Sequence, residues 1–184
     1  MLTSSDFTGL FSDRFFKNLM PIPATSAVKV GDLAPAFELR DVTHGQSLSL
    51  KSYVGPGSAR QPVMLAFTRI FTENQYCPLC YPHIVALRDA YPQLKARGVE
   101  VLMITSTDLE QSATVAQGLS LTLPLLSDSS CRAFRDYGLG QALGAPLPAQ
   151  FLVDGDGYVR FRHLFSFFEP NASIERTYQA LDVL

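Results

Sequence analysis

Two predominantly apolar runs set the strongest constraint on how this chain of 184 residues can fold. Residues 63–67 and 99–105 are rich in Val, Leu, Ile and Met, which is typical of strands buried on both faces. Between the runs, apolar residues recur at helical spacing up to Gly98: Ile84, Leu87, Tyr91 and Leu94. Pro92 predicts a kink or break in that helix. A strand, a helix and a strand over about 45 residues predict a βαβ unit with parallel strands and a right-handed crossover.

Shorter patterns predict further strands on either side of this unit. Residues 36–40 and 46–50 alternate in polarity around a turn, so they predict a hairpin ahead of it. Residues 151–153 and 158–163 flank the turn sequence Asp-Gly-Asp-Gly and predict a second hairpin. A short strand is predicted at 123–126.

Helices are predicted at 109–118, at 129–137 and from Asn171 onward. Asp108 and Asn171 are placed to cap the first and the last of these helices. The order of elements predicts an α/β fold, in which a mixed central β-sheet is flanked by helices. We assign this domain to residues 27–184.

Residues 1–26 are predicted to form a helical extension and a linker. Apolar residues recur at helical spacing from Phe7 to Leu19, and Ser5 or Asp6 can cap the helix. The prolines that follow prevent the helix from continuing. Packing on the core or on a second subunit explains such a helix, so a homodimer stays open. A dense aromatic set near the C-terminus is explained by core packing or by a dimer patch: Phe161, Phe165, Phe167 and Phe168.

Charge and length exclude several classes of protein. The net charge of −2 at pH 7 leaves no basic surplus to neutralise phosphates, so nucleic acid is not an expected partner. No stretch approaches the ~18 apolar residues that a membrane span needs. The N-terminus lacks the basic start and apolar run of a signal peptide, so we expect a cytoplasmic protein. Three cysteines are too few for a disulfide scaffold, and in a reducing compartment a Cys-x-x-Cys motif is typically catalytic or metal-binding.

Cys77 and Cys80 form such a motif at a predicted loop-to-helix junction. Free backbone N–H groups and the helix dipole favour a thiolate there, so the pKa of Cys77 is expected below its ordinary value of about 8.5. Pro78 fits the first helical turn. Cys80 follows one turn later, where it can attack the Cys77 sulfur and release a product. The motif therefore predicts a redox pair for which we expect neither a cofactor nor a metal.

Several stretches of the sequence match one known family. They are residues 30–39, the apolar strand before the Cys-x-x-Cys motif, residues 125–128 with Tyr137-Gly138, and residues 151–157. From about residue 28 to its end, the chain resembles the peroxiredoxin-like redoxins of the thioredoxin superfamily, the alkyl hydroperoxide reductase/thiol-specific antioxidant group. The resemblance implies a thioredoxin-like fold, to which the first hairpin and the N-terminal helix are additions, and an antioxidant thiol-based activity.

Within that group, the peroxidase pattern is incomplete. Peroxidases of the group carry Pro seven residues, and Thr or Ser three residues, before the attacking cysteine. Ile70 and Asn74 occupy those positions here. The family arginine that lowers the cysteine pKa falls near Pro148. The resemblance therefore implies that two parts of the peroxide-activating set are missing.

The thioredoxin-type oxidoreductases of the superfamily offer the other match. They carry an aromatic residue before the motif, here Tyr76, and a cis-proline beside the cysteines. The sequence Leu147-Pro148 fits that proline, with Pro146 as the alternative, and the backbone of Leu147 is then presented to an extended substrate. The first hypothesis is therefore a thiol-disulfide oxidoreductase acting on protein disulfides, with Pro148 positioning the substrate.

Two further hypotheses use the same pair. One is a thiol peroxidase in which Cys77 attacks a peroxide and Cys80 resolves the product. The other is a non-catalytic redox sensor or metal-binding module, in which His83 adds a third ligand. For the enzymes, the resemblance implies a thioredoxin- or glutathione-type electron donor.

Four residues are candidates for supporting roles. Arg69 ends the buried strand, from which it can reach Cys77 electrostatically or lie at the surface. Asn74 precedes the motif and can replace the missing hydroxyl. His83 lies one turn past the motif, where it can tune a thiolate or be a solvated helix residue. Cys131 is either a small buried apolar residue or a second resolving thiol.

Overall fold

The structure is a computed structural model that describes residues 13–184. Its strands are β1 (Glu38–Asp41), β2 (Gln46–Ser49), β3 (Val63–Thr68), β4 (Ile70–Thr72), β5 (Gln75–Tyr76), β6 (Glu100–Thr105), β7 (Leu125–Ser127), β8 (Gln141–Ala142), β9 (Ala145–Pro146), β10 (Ala149–Val153) and β11 (Val159–Leu164). Its α-helices are α1 (Asp13–Lys17), α2 (Tyr81–Ala96), α3 (Leu109–Gly118), α4 (Arg132–Asp136) and α5 (Ile174–Leu181). The part of the predicted N-terminal helix up to residue 12 lies outside the described residues.

Seven strands form one mixed sheet in the order β11-β10-β3-β6-β7-β1-β2. The strands β3, β6 and β7 run parallel, with Val63 opposite Glu100, and the remaining pairs are antiparallel. The predicted βαβ unit and both predicted hairpins are confirmed. The apolar runs made these elements predictable because β3 and β6 are buried along their whole length.

The side chains of β3 alternate between two cores, one on each face of the sheet. Leu65 and Phe67 join the core beneath α4 and the first hairpin. Met64 and Ala66 join the core that is covered by α2, α3 and α5. The predicted sandwich of helices around a sheet is therefore confirmed, and Asp108 caps α3 as predicted, its carboxylate accepting a hydrogen bond from the Gln111 N–H at 2.9 Å.

Two local predictions were wrong. Pro92 does not break α2, because Leu87 and Leu94 are fully buried on either side of it and this packing outweighs the hydrogen bond that proline removes. Asn171 does not cap α5. Ser173 does, with its hydroxyl accepting from the Arg176 N–H at 3.2 Å, because the Asn171 side chain is engaged elsewhere.

Two short hairpins, β4–β5 and β8–β9, were not predicted from the sequence. Their strands have two or three residues each, which is too short for any periodicity to register. The β4–β5 hairpin lies beyond the carboxyl end of β3, and the β8–β9 hairpin lies next to the start of β10. The two hairpins therefore flank the same end of the sheet.

No helix among residues 13–184 is long and apolar enough to cross a membrane.

Candidate active site

The Cys-x-x-Cys motif lies beyond the carboxyl end of β3, an inner strand of the sheet. The β4–β5 hairpin turns the chain back there, and the Cys77 N–H donates to the Arg69 carbonyl at 3.4 Å. Cys77 and Cys80 are both free thiols and are only 4% and 0% exposed. This end of the parallel strands is where open α/β sheets place their sites.

A tight turn connects the two cysteines and leads into α2. The Cys77 carbonyl accepts hydrogen bonds from the N–H groups of Cys80 at 2.9 Å and Tyr81 at 3.0 Å. Cys80 is the N-cap of α2, so Pro78 lies in the turn and not in the first helical turn as predicted. Pro82 takes that helical place, because the first turn of a helix tolerates a missing N–H.

The pKa of Cys77 is lowered to about 6, chiefly because the Cys80 thiol donates a hydrogen bond to its sulfur. The backbone N–H groups of Leu79 and Cys80 and the positive charge of Arg69 act in the same direction, and burial opposes them. The hydrogen bond to Cys77 and burial raise the pKa of Cys80. At neutral pH the pair is therefore asymmetric, with a thiolate at Cys77 and a thiol at Cys80.

Arg69 brings a buried cation to the thiolate. Its guanidinium hydrogen-bonds the Cys77 sulfur, donates to the Ala142 carbonyl on the β8–β9 hairpin, and lies 4.7 Å from the centre of the Phe71 ring. Arg69 is 7% exposed, and burial lowers its pKa. It therefore lies against the thiolate and not at the surface.

Tyr76 and Asn74, the two candidate site residues just before the motif, differ in how far they are buried. Tyr76 is half-buried and packs edge to face on Tyr81, with ring centres 5.2 Å apart. Asn74 is exposed between β4 and β5, where its N–H donates to the Thr72 hydroxyl at 3.3 Å. Asn74 thus does not supply the missing hydroxyl, and the thiolate is held instead by Cys80, Leu79 and Arg69.

His83 lies in α2 with 8% exposure, so the solvated position that sequence analysis considered is wrong. Burial, and secondarily the nearby His163, lower its pKa to about 4. The imidazole is therefore neutral at pH 7 and adds no positive charge to the site. Among residues 13–184, no three His, Cys, Asp or Glu side chains are grouped to hold a metal ion, so the geometry gives the metal-binding alternative no support.

Cys131 lies apart from the redox pair, as the N-cap of α4 in the core beneath that helix. It is 3% exposed, and the Asn18 amide donates to its sulfur at 3.7 Å. Burial and the nearby Asp128 raise its pKa. These surroundings match the small buried apolar residue that was one of its two predicted roles.

The predicted cis-proline is wrong, because every peptide bond in residues 13–184 is trans. The Leu147 N–H donates to the Gly140 carbonyl at 2.8 Å, and Ala149 pairs with Phe67, so the chain runs directly from β9 into β10. Pro148 still lies at the same end of the sheet as Arg69. The Leu147 N–H is already bonded within the protein, so it is not presented to an extended substrate.

Sequence analysis missed two amide side chains behind Cys80. Gln150 is fully buried in β10, where its oxygen accepts from the Ala172 N–H at 2.9 Å and its nitrogen donates to the Asn171 oxygen at 2.8 Å. The Asn171 nitrogen in turn donates to the Leu79 carbonyl at 3.2 Å and hydrogen-bonds Cys80. The one available signal was a polar Gln within the apolar strand Ala149–Val153.

A thiolate-forming cysteine pair at the carboxyl end of an inner parallel strand of a mixed sheet defines a thiol-based redox protein with a thioredoxin-like fold. The chain belongs to the AhpC/TSA family, whose model matches residues 30–162. It is 30% identical over 159 residues to the chloroplastic peroxiredoxin Q of Suaeda salsa, which covers 85% of this chain and 69% of that protein. It is 31% identical over 136 residues to the thiol-disulfide oxidoreductase ResA of Geobacillus kaustophilus, covering 73% and 69% of the two chains.

Solved structures support the same fold. Peroxidoxin BcpB from Mycobacterium tuberculosis superposes with a TM-score of 0.71 at 22% identity, covering 85% of this chain and 98% of that one. A putative thiol:disulfide interchange protein DsbE from Chlorobium tepidum gives a TM-score of 0.65 at 20% identity, with the same coverage. The predicted thioredoxin-like fold is confirmed, and the protein is a thiol-based oxidoreductase.

Proposed function

We propose that this protein is a thiol peroxidase in which Cys77 reduces a hydroperoxide and Cys80 then forms a disulfide with Cys77. The observation that carries the proposal is the asymmetry of the pair. Cys77 is a buried thiolate that accepts hydrogen bonds from Cys80 and Arg69, whereas burial and the same contact keep Cys80 protonated. A nucleophile and a thiol that attacks second are what such a cycle requires.

In the dithiol form that the structure describes, the small exposed area of Cys77 suits a small oxidant as the substrate of the thiolate. Cys77 is 4% exposed, and the N–H of Leu147, the residue whose backbone the oxidoreductase hypothesis assigned to an extended substrate, is bonded to the Gly140 carbonyl. Arg69 supports a peroxide substrate in addition, because it supplies the cation that the family pattern carries near Pro148. A guanidinium at this point stabilises the charge that develops on the peroxide oxygen.

The cycle balances with the groups of the site. The Cys77 thiolate attacks the terminal peroxide oxygen, the O–O bond breaks, and the leaving alkoxide takes a proton from water to become an alcohol. Cys77 is then a sulfenic acid. The Cys80 thiol loses its proton and attacks the Cys77 sulfur, so an S–S bond forms and one water molecule leaves. Two electrons have passed from the dithiol to the peroxide.

An electron donor must return those two electrons to the Cys77–Cys80 disulfide. We expect a dithiol of the thioredoxin type, or glutathione, because both act by thiol–disulfide exchange. A reducing compartment such as the cytoplasm fits this step.

Phe167 and Phe168 are exposed by 83% and 102%, so core packing does not explain them, and they favour self-association as a homodimer.

The test is peroxide consumption coupled to a thioredoxin-type donor. The wild type should turn over, Cys77→Ser should be inactive, and Cys80→Ser without donor should consume one equivalent and stop at the sulfenic acid. Cys131→Ser is the matched control and should behave as the wild type. A wild-type protein whose thiols survive excess hydroperoxide, or a Cys77→Ser variant that still consumes it, contradicts the proposal.

Reduction of protein disulfides is the second candidate. Leu79 and Tyr81, on either side of Cys80, are 45% and 41% exposed, so they offer an apolar contact beside the pair. The similarity to ResA favours the same reading. Insulin reduction distinguishes the two candidates, because a peroxidase of the kind proposed should accelerate it little.

A further inference from the structure

Residues 13–22, which we call the strap, lie across the site end of the sheet before the domain begins. They include α1, and they contact two parts of the molecule that surround Arg69. One is β4, the strand that directly follows Arg69. The other is the β8–β9 hairpin, which carries the carbonyl that Arg69 binds.

The first contact is made by Arg14. Its guanidinium donates to the carbonyls of Ile70, at 3.4 Å, and Phe71, and to the Ser106 hydroxyl at 3.0 Å. Burial lowers the pKa of Arg14, and the thiol it influences is Cys131. Arg14 therefore ties β4 to the end of β6, while its charge is directed at a different cysteine.

The second contact fixes the hairpin. Ile22 and Gln141 exchange two backbone hydrogen bonds of 2.8 and 3.0 Å, and the Gly144 N–H donates to the Asn18 carbonyl at 3.1 Å. The Phe15 ring lies so close to Gly144 that a Cβ at that position would collide with it. The strap thus packs directly on the hairpin that holds the Arg69 guanidinium.

We propose that the strap positions Arg69 against Cys77, and that Arg14 is the residue that anchors it. The backbone next to Arg69 is held by Arg14, and the acceptor of its guanidinium is held by residues 15–22. Arg69 is thereby restrained at both of its ends. The inference deepens the proposed function, because it rests on Cys77 being the reactive thiolate.

The experiment measures the pKa of Cys77 from the pH dependence of iodoacetamide alkylation, with peptide mapping to separate the three cysteines. No peroxide is needed, so its outcome is independent of whether the protein turns over peroxide. We expect Arg14→Met to raise the Cys77 pKa by roughly 0.5–1 unit, and Arg69→Met by roughly 1–2 units. Lys17→Met removes an exposed charge from the same helix and should leave the value unchanged.

A double variant establishes whether Arg14 acts through Arg69. If it does, Arg14→Met adds no further shift in an Arg69→Met background, because the group it positions is absent. Additive shifts overturn the proposal, since they mean that Arg14 influences Cys77 independently. Equal pKa values in Arg14→Met and Lys17→Met overturn it as well.

Alkylation of Cys131 reports whether the strap stays attached. Asn18 covers this sulfur in the folded protein, so detachment should expose Cys131 to the reagent. A variant in which Cys131 becomes reactive while the pKa of Cys77 stays at the wild-type value also contradicts the proposal. Circular dichroism confirms that the domain itself remains folded in each variant.

Discussion

The Cys80 thiol donates a hydrogen bond to the Cys77 sulfur, and this contact is the largest single influence on the pKa of both residues. Cys80 therefore first activates Cys77 by stabilising its thiolate, and later attacks the oxidised Cys77 sulfur. The contact also explains why Cys77 ionises and Cys80 does not, although both thiols are buried and lie only three residues apart in the sequence. Two thiolates in hydrogen-bond contact would repel each other, so ionisation of Cys77 suppresses ionisation of Cys80.

Removal of that donor is the most direct test of the pair. We predict that Cys80→Ala raises the pKa of Cys77 by about one unit or more, because the thiolate loses its main stabilising contact. Cys80→Ser retains a hydroxyl donor and should shift the value less. The alkylation profile of Cys77 measures both effects, and Cys131→Ala serves as the control. Identical profiles in Cys80→Ala and the wild type contradict the assignment.

Arg69→Met should slow oxidation of Cys77 by hydrogen peroxide by roughly 10- to 100-fold, because one donor to the developing negative charge is lost. Stopped-flow measurement of the second-order rate at about pH 9 checks this, since Cys77 is then largely ionised even if its pKa rises by roughly two units. Arg132→Met removes an exposed arginine on α4 and should leave the rate unchanged. A rate for Arg69→Met within twofold of the wild type argues against a role in the reaction.

Gln150→Leu should destabilise the protein by about 2–3 kcal/mol. The substitution leaves the fully buried Ala172 N–H and the half-buried Asn171 oxygen without their partners, and the loss of a buried partner costs about 1–3 kcal/mol. Urea denaturation measures the change in the free energy of unfolding. Gln117→Leu, at an exposed position of α3, is the control and should change it little. A stability equal to the wild type shows that Asn171 is held by other contacts.

His83 should make the stability of the protein pH-dependent in acid. Its folded pKa of about 4 lies below its ordinary value of 6.5, so between these values the unfolded state binds more protons. The free energy of unfolding contributed by His83 therefore falls as the pH drops from 6.5 to 4 and is lost below that range. His83→Leu should flatten this part of the profile. It should also cost little at pH 7, because the Nε2 atom that it removes has no hydrogen-bond partner in the described structure. Parallel pH profiles for His83→Leu and the wild type rule out His83 as the source.

Most of the sheet could be predicted from the sequence because burial on both faces leaves predominantly apolar runs. The runs that became β3 and β6 have this character, and the helix between them repeats its apolar residues every three or four positions. The cysteine pair was predictable for a related reason. Residues three apart at a helix start are neighbours whatever the rest of the fold does.

The partners of the pair could not be predicted in the same way. The Asn171 side chain donates to the Leu79 carbonyl, which is 92 residues away in the sequence, and it is held there by Gln150 of β10. The hydrogen bond between Arg69 and Ala142 spans 73 residues and depends on the β8–β9 hairpin, which leaves no periodic signal. The isomer at Pro148 was predicted wrongly because tertiary contacts decide it. The sequence around an X–Pro bond restricts it by only about 0.5–1 kcal/mol.

Because Cys80 is completely buried behind Cys77, only one cysteine of the pair can form a covalent bond with another protein. A donor that opens the disulfide can reach Cys77 but not Cys80, so any covalent intermediate must be carried on Cys77. In Cys80→Ser the Cys77 sulfenic acid condenses with a donor thiol and loses water, and the resulting mixed disulfide can then be released only by a second thiol of the donor, because the variant has no second thiol of its own at this site. That variant is therefore a bait with a single attachment point, from which the physiological donor can be recovered as a mixed disulfide and identified.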